Sequence, residues 1–328
     1  MAGKKKVLLP SSMMKAGWDV MAQRNDIEAI AYDMHIAAPD FHRLLADADG
    51  VALSLTRFGE AEIKAAAKLR AVARHGVGYD AVDVAALTRA RIPLFVTGTA
   101  NSPSVAEHAL SFILAFAKRT LPLHAMVRER RWAKRLVEPL PIDLFGKTLL
   151  VIGFGRIGSR IAKVGVALGM TVRVYDPYVP ASAVSAAGCS ADSDLDTALS
   201  QADFVSIHCP KTAETTDMFD ARRLARMKPS AYLINTARGG IINEAALKQA
   251  LDAGALAGAG LDVFEQEPPP DDHPLLNDPK VLAAPHMAGV TREAMDRMAI
   301  AVAQNLISAI DGKPKLENVV NPEVFGHR

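Results

Sequence analysis

Thr148-Leu149-Leu150-Val151-Ile152-Gly153-Phe154-Gly155-Arg156-Ile157-Gly158 runs an apolar stretch straight into a Gly-x-Gly-x-x-Gly pattern. Thr148–Ile152 reads as a strand and 156–168 as the helix that follows it. At such a turn each glycine has its own task. Gly153 permits the tight turn, Gly155 lets the backbone approach a pyrophosphate, and Gly158 lets helix and strand pack closely. The helix start offers unpaired N–H groups and a partial positive charge to the phosphates, with Phe154, Arg156 and Ile157 completing the cradle. The next strand, Thr171–Tyr175, ends at Asp176. A carboxylate there hydrogen-bonds a ribose 2′-hydroxyl and repels a 2′-phosphate, which selects NAD over NADP.

The same alternation extends both ways. Further strands are expected at 204–208, 232–235, 258–263 and 281–284, and, upstream, at 7–10, 27–32, 51–55, 71–74 and 93–97. Amphipathic stretches such as 59–69 and 82–91 separate the upstream runs. Strand–helix alternation implies an α/β fold with doubly wound parallel sheets. Ser102 or Ser104 can cap an apolar helix over 105–118, with Glu107 suiting its first turn. A final helix over 291–310 carries Met295, Met298, Ala299, Val302, Leu306 and Ile310 on one stripe and is expected to return to the first domain. The expected division is a discontinuous domain, 1–103 plus 292–328, around an inserted cofactor domain, 104–291.

The 328 residues exceed a usual domain, and half are hydrophobic. A net charge of +2 gives no bulk field for nucleic acid or an anionic membrane, and 5% aromatics argue against stacking on bases. Cys189 and Cys209 make neither a disulfide framework nor a metal-ligand set, so no metal is expected and a reducing compartment is. The N-terminal apolar run is too short for a signal peptide, and no apolar run reaches a membrane span. The expectation is a cytoplasmic protein.

Reduction of a 2-oxo acid makes distinct chemical demands. Its carboxylate needs a cation, ideally bidentate. Its carbonyl oxygen needs a proton donor with a pKa near working pH, which suits histidine, and a nearby carboxylate keeps that histidine charged. Strand ends in open α/β sheets are where ligands sit. There the chain has Arg238, Glu265, Glu267 and His286. Arg238 is equally readable as a surface turn residue, an isolated histidine such as His286 is more often a structural one, and most such glutamates are solvated; chemistry alone does not choose between the two glutamates.

The chain resembles the D-isomer-specific 2-hydroxyacid dehydrogenase family, in particular its 3-phosphoglycerate dehydrogenase-like and hydroxypyruvate/glyoxylate reductase-like members. The residues that carry the resemblance are Arg74-His75-Gly76-Val77-Gly78-Tyr79-Asp80, Asn101 with Ser104-Val105-Ala106-Glu107, the Gly153 to Gly158 turn and His208-Cys209-Pro210. Further along they are Asn235-Thr236-Ala237-Arg238-Gly239, Gly260-Leu261-Asp262-Val263-Phe264 with Glu267-Pro268, Pro285-His286 and Val319-Val320-Asn321. The resemblance implies a Rossmann NAD-binding domain inserted into a flavodoxin-like substrate domain. It also implies that Arg238 clamps the substrate, His286 is the acid–base group and Glu267, which precedes proline, orients it. Val77 and Gly78 would bind the substrate carboxylate through N–H groups, and Asp262 the nicotinamide carboxamide. Thr236 and Ala237 would line the nicotinamide ribose, and Cys209 and Pro210 the adenosine side, Cys209 through its backbone alone. Arg238 and His286 would thus face cofactor and substrate together. A cleft closing about hinges near Pro103 and 289–293 is expected, as is a homodimer through helix 105–118 and the following segment.

Two departures matter. Leu53 stands where phosphoglycerate dehydrogenases of this type carry an arginine nearby, with Arg57 a few residues on. The sequence ends soon after the final helix, which predicts no serine feedback. Substrate side-chain specificity is expected to depend on 53–58, Tyr79 and 287–290. The basic run 127–135 reads as a solvated helix face, the sharper alternative being a contact with an anionic substrate group. The competing functions are an NADPH-preferring glyoxylate/hydroxypyruvate reductase, which Asp176 opposes, and an NAD-binding corepressor-like dimer without turnover.

Overall fold

The computed structural model describes residues 3–136 and 139–326. Met1 and Ala2, which belong to the N-terminal reading above, lie outside the described residues. The chain forms two compact units, Met1–Asn101 with Val290–Arg328, and Ser102–Gly289.

The first unit runs β1 (Lys5–Pro10), α1 (Lys15–Ala22), β2 (Ile27–Tyr32), α2 (Ala38–Leu45), β3 (Gly50–Leu53), α3 (Glu60–Ala65), β4 (Ala71–Arg74), α4 (Val84–Arg89) and β5 (Leu94–Phe95). Its strands are parallel, in the order β2-β1-β3-β4-β5, which is the flavodoxin-like arrangement. Both faces are covered, so β3 is buried at every position and reads as an unbroken apolar run.

The second unit opens with α5 (Ser102–Ala117) and α6 (Thr120–Arg128). It continues with β6 (Thr148–Ile152), α7 (Gly158–Ala167), β7 (Thr171–Tyr175), α8 (Ala181–Ala186), β8 (Ser190–Asp192), α9 (Leu195–Gln201) and β9 (Phe204–Ile207). Then come α10 (Ala221–Leu224), β10 (Tyr232–Asn235), α11 (Glu244–Asp252), β11 (Gly258–Leu261) and β12 (Val281–Ala283). All seven strands are parallel, in the order β12-β11-β10-β9-β6-β7-β8. Strand order reverses at β6, which makes a doubly wound Rossmann sheet with its crevice beyond the carboxyl ends. Along β6, Leu150 and Ile152 enter one core and Leu149 and Val151 the other, the period-two signature of a strand buried on both faces.

The chain then returns to the first unit as α12 (Arg292–Ile310), whose Ala299, Val302 and Leu306 pack with Val7, Leu9 and Ala52. Thr291 caps it by accepting the Ala294 N–H at 3.1 Å. Asn321 ties the tail to β5: its Oδ1 accepts the Leu94 N–H at 2.8 Å and its Nδ2 donates to Ile92 O at 3.0 Å.

Some expectations need correction. The helix expected over 59–69 ends at Ala65, because Ala66 leaves the helical region at φ −100, ψ 71 and Arg70 donates to Asp49 O to enter β4. Strand pairing here outweighs local propensity. α5 starts at Ser102, so neither serine flanks it as a cap, and Glu107 falls beyond its first turn. Pro103 is a first-turn residue, where its missing N–H costs nothing. The basic run is not one helix face: α6 stops at Arg128, Arg130 takes φ +56, and Trp132–Lys134 forms a short 3-10 turn. Among the described residues no single helix is long and apolar enough to cross a membrane; α5 and α6 pass that test only as a pair, bent by 56°.

Candidate active site

β6 delivers the chain to Gly153, which turns at φ +87. A Cβ on Gly158 would lie 1.9 Å from Gly153 O, so only glycine lets α7 start this close to the strand. At Gly155 a Cβ would meet nothing within 4 Å, leaving the turn's backbone open to a ligand. Among the described residues no backbone carbonyl accepts the N–H of Gly155, Arg156 or Ile157. α7 begins two residues later than expected, which puts Arg156 and Ile157 in the turn. Asp176, at the end of β7, accepts the Phe154 N–H on Oδ2 at 2.7 Å and the Tyr178 N–H on Oδ1 at 2.9 Å. It therefore braces the glycine turn and keeps further lone pairs for sugar hydroxyls. Open backbone, unclaimed N–H groups and this carboxylate together fit NAD.

The loop after β9 closes the turn from below, since Cys209 N would lie 2.7 Å from a Cβ on Gly153. Burial pushes the Cys209 thiol up to about 11, which leaves it no thiolate character near neutrality. Pro210 is exposed beside it, its carbonyl accepting the Thr215 hydroxyl at 2.7 Å.

Three neighbouring strands supply the rest. After β10, Asn235 folds the turn by accepting the Ala237 N–H at 3.0 Å and donating to Arg238 O at 2.8 Å. Thr236 Oγ1 is buried without a hydrogen-bond partner among the described residues. Arg238 donates from Nη1 to Ala237 O at 2.7 Å. A Cβ on Gly239 would lie 1.8 Å from Phe264 O, so this turn rests directly on the loop leaving β11. In that loop Glu267 accepts the Phe264 N–H on Oε1 at 3.1 Å and meets His286 Nδ1 with Oε2 at 2.7 Å. His286, after β12, sits at φ +56, a costly conformation for a non-glycine residue, and donates its N–H to Asp262 O at 2.8 Å. Asp262 is 1% exposed and accepts the Met287 and Ala288 N–H groups at 2.7 and 2.8 Å. Its side chain thus organises the His286 loop, a task the sequence did not suggest.

The electrostatics follow from these contacts. Burial opposes ionisation of Glu267, but the hydrogen bonds from His286 and the Phe264 N–H, with the charges of His286 and Arg238, hold its carboxyl below the usual range. A cavity of ≈ 390 Å³ lies alongside, lined by Asp262, Phe264, Glu267, Leu276 and His286 among others. The carboxylate that meets His286 is that of Glu267; Glu265 is exposed and its backbone N–H donates to Glu244 at 2.6 Å, and Glu244 in turn holds His273 at 3.0 Å. The geometry therefore brings Arg238, Glu267 and His286 to the carboxyl edge that also carries the glycine turn. Asn235, Glu244 and His273 are supports that the sequence reading missed. Only Asn235, a side chain able to fold its own turn at a strand end, had a local signal.

Val77 and Gly78 belong to the first unit, after β4. His75 N–H bonds Leu53 O at 2.7 Å and Thr97 N–H bonds Gly76 O at 3.1 Å, while no backbone carbonyl among the described residues accepts the N–H of Val77 or Gly78. Leu53 and Phe58, expected to shape specificity, are core residues at 0% and 1% exposure. Of the other positions named for specificity, Tyr79 and Met287 are exposed.

The sequence model described as "D-isomer specific 2-hydroxyacid dehydrogenase, NAD binding domain" matches residues 110–288. The chain is 40% identical to a D-3-phosphoglycerate dehydrogenase of Mycobacterium bovis, over 88% of this chain and 56% of that protein. It is also 40% identical to a glyoxylate reductase of Korarchaeum cryptofilum, over 85% of this chain and 84% of that protein. Among solved structures, a D-lactate dehydrogenase from Aquifex aeolicus complexed with NAD and lactic acid superposes with a TM-score of 0.84 at 28% identity, covering 96% of this chain and 99% of that one. The chain spans about half the length of the phosphoglycerate dehydrogenases it matches, 51% to 56%.

Proposed function

The chain belongs to the D-isomer-specific 2-hydroxyacid dehydrogenases, and on that premise we propose that it interconverts a small 2-oxo acid and its D-2-hydroxy acid with NAD. The observation that carries this reading is the 2.7 Å contact between His286 and Glu267 on the strand edge that ends in the glycine turn. The cofactor, when bound, would supply the hydride as NADH to the carbonyl carbon of the 2-oxo acid and accept it as NAD from the same carbon of the 2-hydroxy acid. His286 gives a proton to the carbonyl oxygen in reduction and withdraws it in oxidation. Glu267 accepts the Nδ1–H, which orients the ring and leaves Nε2 for the substrate. Arg238 clamps the carboxylate and carbonyl; in the first unit, the open N–H groups of Val77 and Gly78 suit a carboxylate.

The cofactor is assigned to the turn Gly153, Phe154, Gly155, Arg156, Ile157 and Gly158, with Asp176 on the adenosine ribose and Cys209 and Pro210 on the adenosine side. Thr236 Oγ1 and Ala237 line the other ribose, the buried orphan hydroxyl of Thr236 being the supporting observation. The remaining lone pairs of Asp262 hold the carboxamide. We assign a homodimer as well, because Leu121, Val127, Trp132 and Leu140 on and after α6 are 56–62% exposed, and a cytoplasmic location, which the free thiols of Cys189 and Cys209 support. Sedimentation tests the dimer.

The decisive experiment is NADH oxidation with glyoxylate, hydroxypyruvate, pyruvate and longer 2-oxo acids, and NAD reduction with 3-phosphoglycerate. Turnover with one of them is expected. Tight NAD binding without turnover of any would leave a binding role and overturn this reading.

A further inference from the structure

Behind the His286 loop lies a second imidazole that this mechanism does not use. His108, on α5, sets its ring edge-on to Phe112, with centroids 4.8 Å apart and planes at 82°. Its Nε2 is buried, has no hydrogen-bond partner among the described residues, and lies 3.8 Å from Asp262 Oδ1. That gap is too long for a hydrogen bond, yet short enough for charge and dipole to act across a dry interior. The same Oδ1 accepts the Met287 N–H, and Oδ2 the Ala288 N–H. These amides directly follow His286, whose φ of +56 persists only under restraint from its surroundings.

We propose that His108 is a positioning residue: an N–H at Nε2 directs positive potential onto Asp262, keeps it a strong acceptor for the Met287 and Ala288 amides, and so holds the His286 ring on Glu267. The charged or titratable groups acting on Asp262 are His108 from α5 and His286 from its own loop. Burial pushes the Asp262 carboxyl up, while the Ala288 and Met287 N–H groups and these two imidazoles pull it down. Removing His108 takes away the one imidazole that is not itself part of the loop. A carboxyl that takes up a proton accepts hydrogen bonds less strongly, and the loop loosens.

The inference rests on His286 being the acid–base group, so the test reads the loop without turnover. Amide hydrogen exchange at Met287 and Ala288 is compared in the full-length protein and in His108→Leu, His108→Phe and His108→Gln. Loss of the N–H in the Leu and Phe variants should speed exchange at those two amides about tenfold relative to the rest of α12 and β11. The Gln variant, which keeps an N–H donor, should fall between them and the parent. In turnover, kcat should fall in the Leu and Phe variants, KM should change little, and the pH profile of kcat should shift. If either apolar variant fails to fold, the other carries the comparison. Unchanged exchange at both amides, or a rise only in step with global unfolding, overturns the proposal. An inactive parent protein with normal loop protection would instead sink the dehydrogenase reading and leave this one standing.

Discussion

Both units set loops beyond the carboxyl ends of parallel strands, but the loops differ in kind. Those of the second unit present ionisable side chains, each braced: Asp176 by two N–H groups, Glu267 by Phe264 and His286, Arg238 through the Asn235 turn. Those of the first unit also carry the exposed side chains of Arg57 and Tyr79, but at Val77 and Gly78 they present backbone. There Leu53 and Phe58 are core, Arg74 is spent on the carbonyls of Leu53 and His75, and Val77 and Gly78 contribute unclaimed N–H groups. Proton transfer needs a particular atom in a particular ionisation state, which takes a side chain and a support for it. Anion recognition needs only directed N–H groups, which backbone supplies whatever the side chain. Side-chain truncation should therefore be severe in the second unit and mild in the first.

The largest effect should come from His286→Asn, which keeps a polar side chain but no acid–base group. We expect kcat to fall about 10²–10⁴-fold with NAD binding retained. A smaller fall, measured by steady-state kinetics, would place the proton donor elsewhere. Asp176→Ala should weaken NAD about 10–100-fold, the scale of a lost hydrogen bond to a charged group, and raise NADPH activity. Titrations that leave both cofactors unchanged would remove Asp176 from the ribose site.

A third expectation treats the units alike. Burial lowers His75, in the first unit, to about 4 and His208, in the second, to about 3. Both folded-state values lie below the ordinary 6.5, so the unfolded chain takes up protons that the folded chain refuses. The stability these neutral rings allow is complete above pH 6.5 and declines as pH falls towards 4 and then 3. Each contributes a slope of about 1 kcal/mol per pH unit. Urea midpoints between pH 7 and 4.5 check this, and a flat profile contradicts neutral buried rings. The smallest effect belongs to Val77→Ala, which leaves the N–H in place: KM for the 2-oxo acid should stay within about threefold. A tenfold rise would mean that the side chain itself contacts substrate and the contrast between the units fails.

Much of the fold was legible because both sheets are buried on two faces. The runs 27–32, 71–74, 148–152, 171–175 and 232–235 coincide with β2, β4, β6, β7 and β10 in their bounds. Where an element's end depended on a distant partner, the reading slipped. Ala66 leaves α3 because β4 must meet β3, and β8 is a three-residue polar edge strand with no apolar run to announce it. At the site, the glycine turn and Asp176 were readable since they are close in sequence. The choice of Glu267 over Glu265 was not readable from chemistry, because both lie in one loop and only its path past Phe264 turns one of them to His286.

Apolar spacing and glycine placement along the chain were enough for strand, turn and helix, and for the kind of cofactor, because those are contests between neighbouring residues. Which carboxylate holds His286, that Asp262 ties down its loop and that His108 stands behind Asp262 depended on β10, β11 and β12 lying side by side with α5 across them. Those contacts join residues from 19 to more than a hundred positions apart, and no local pattern encodes the geometry of such a pair.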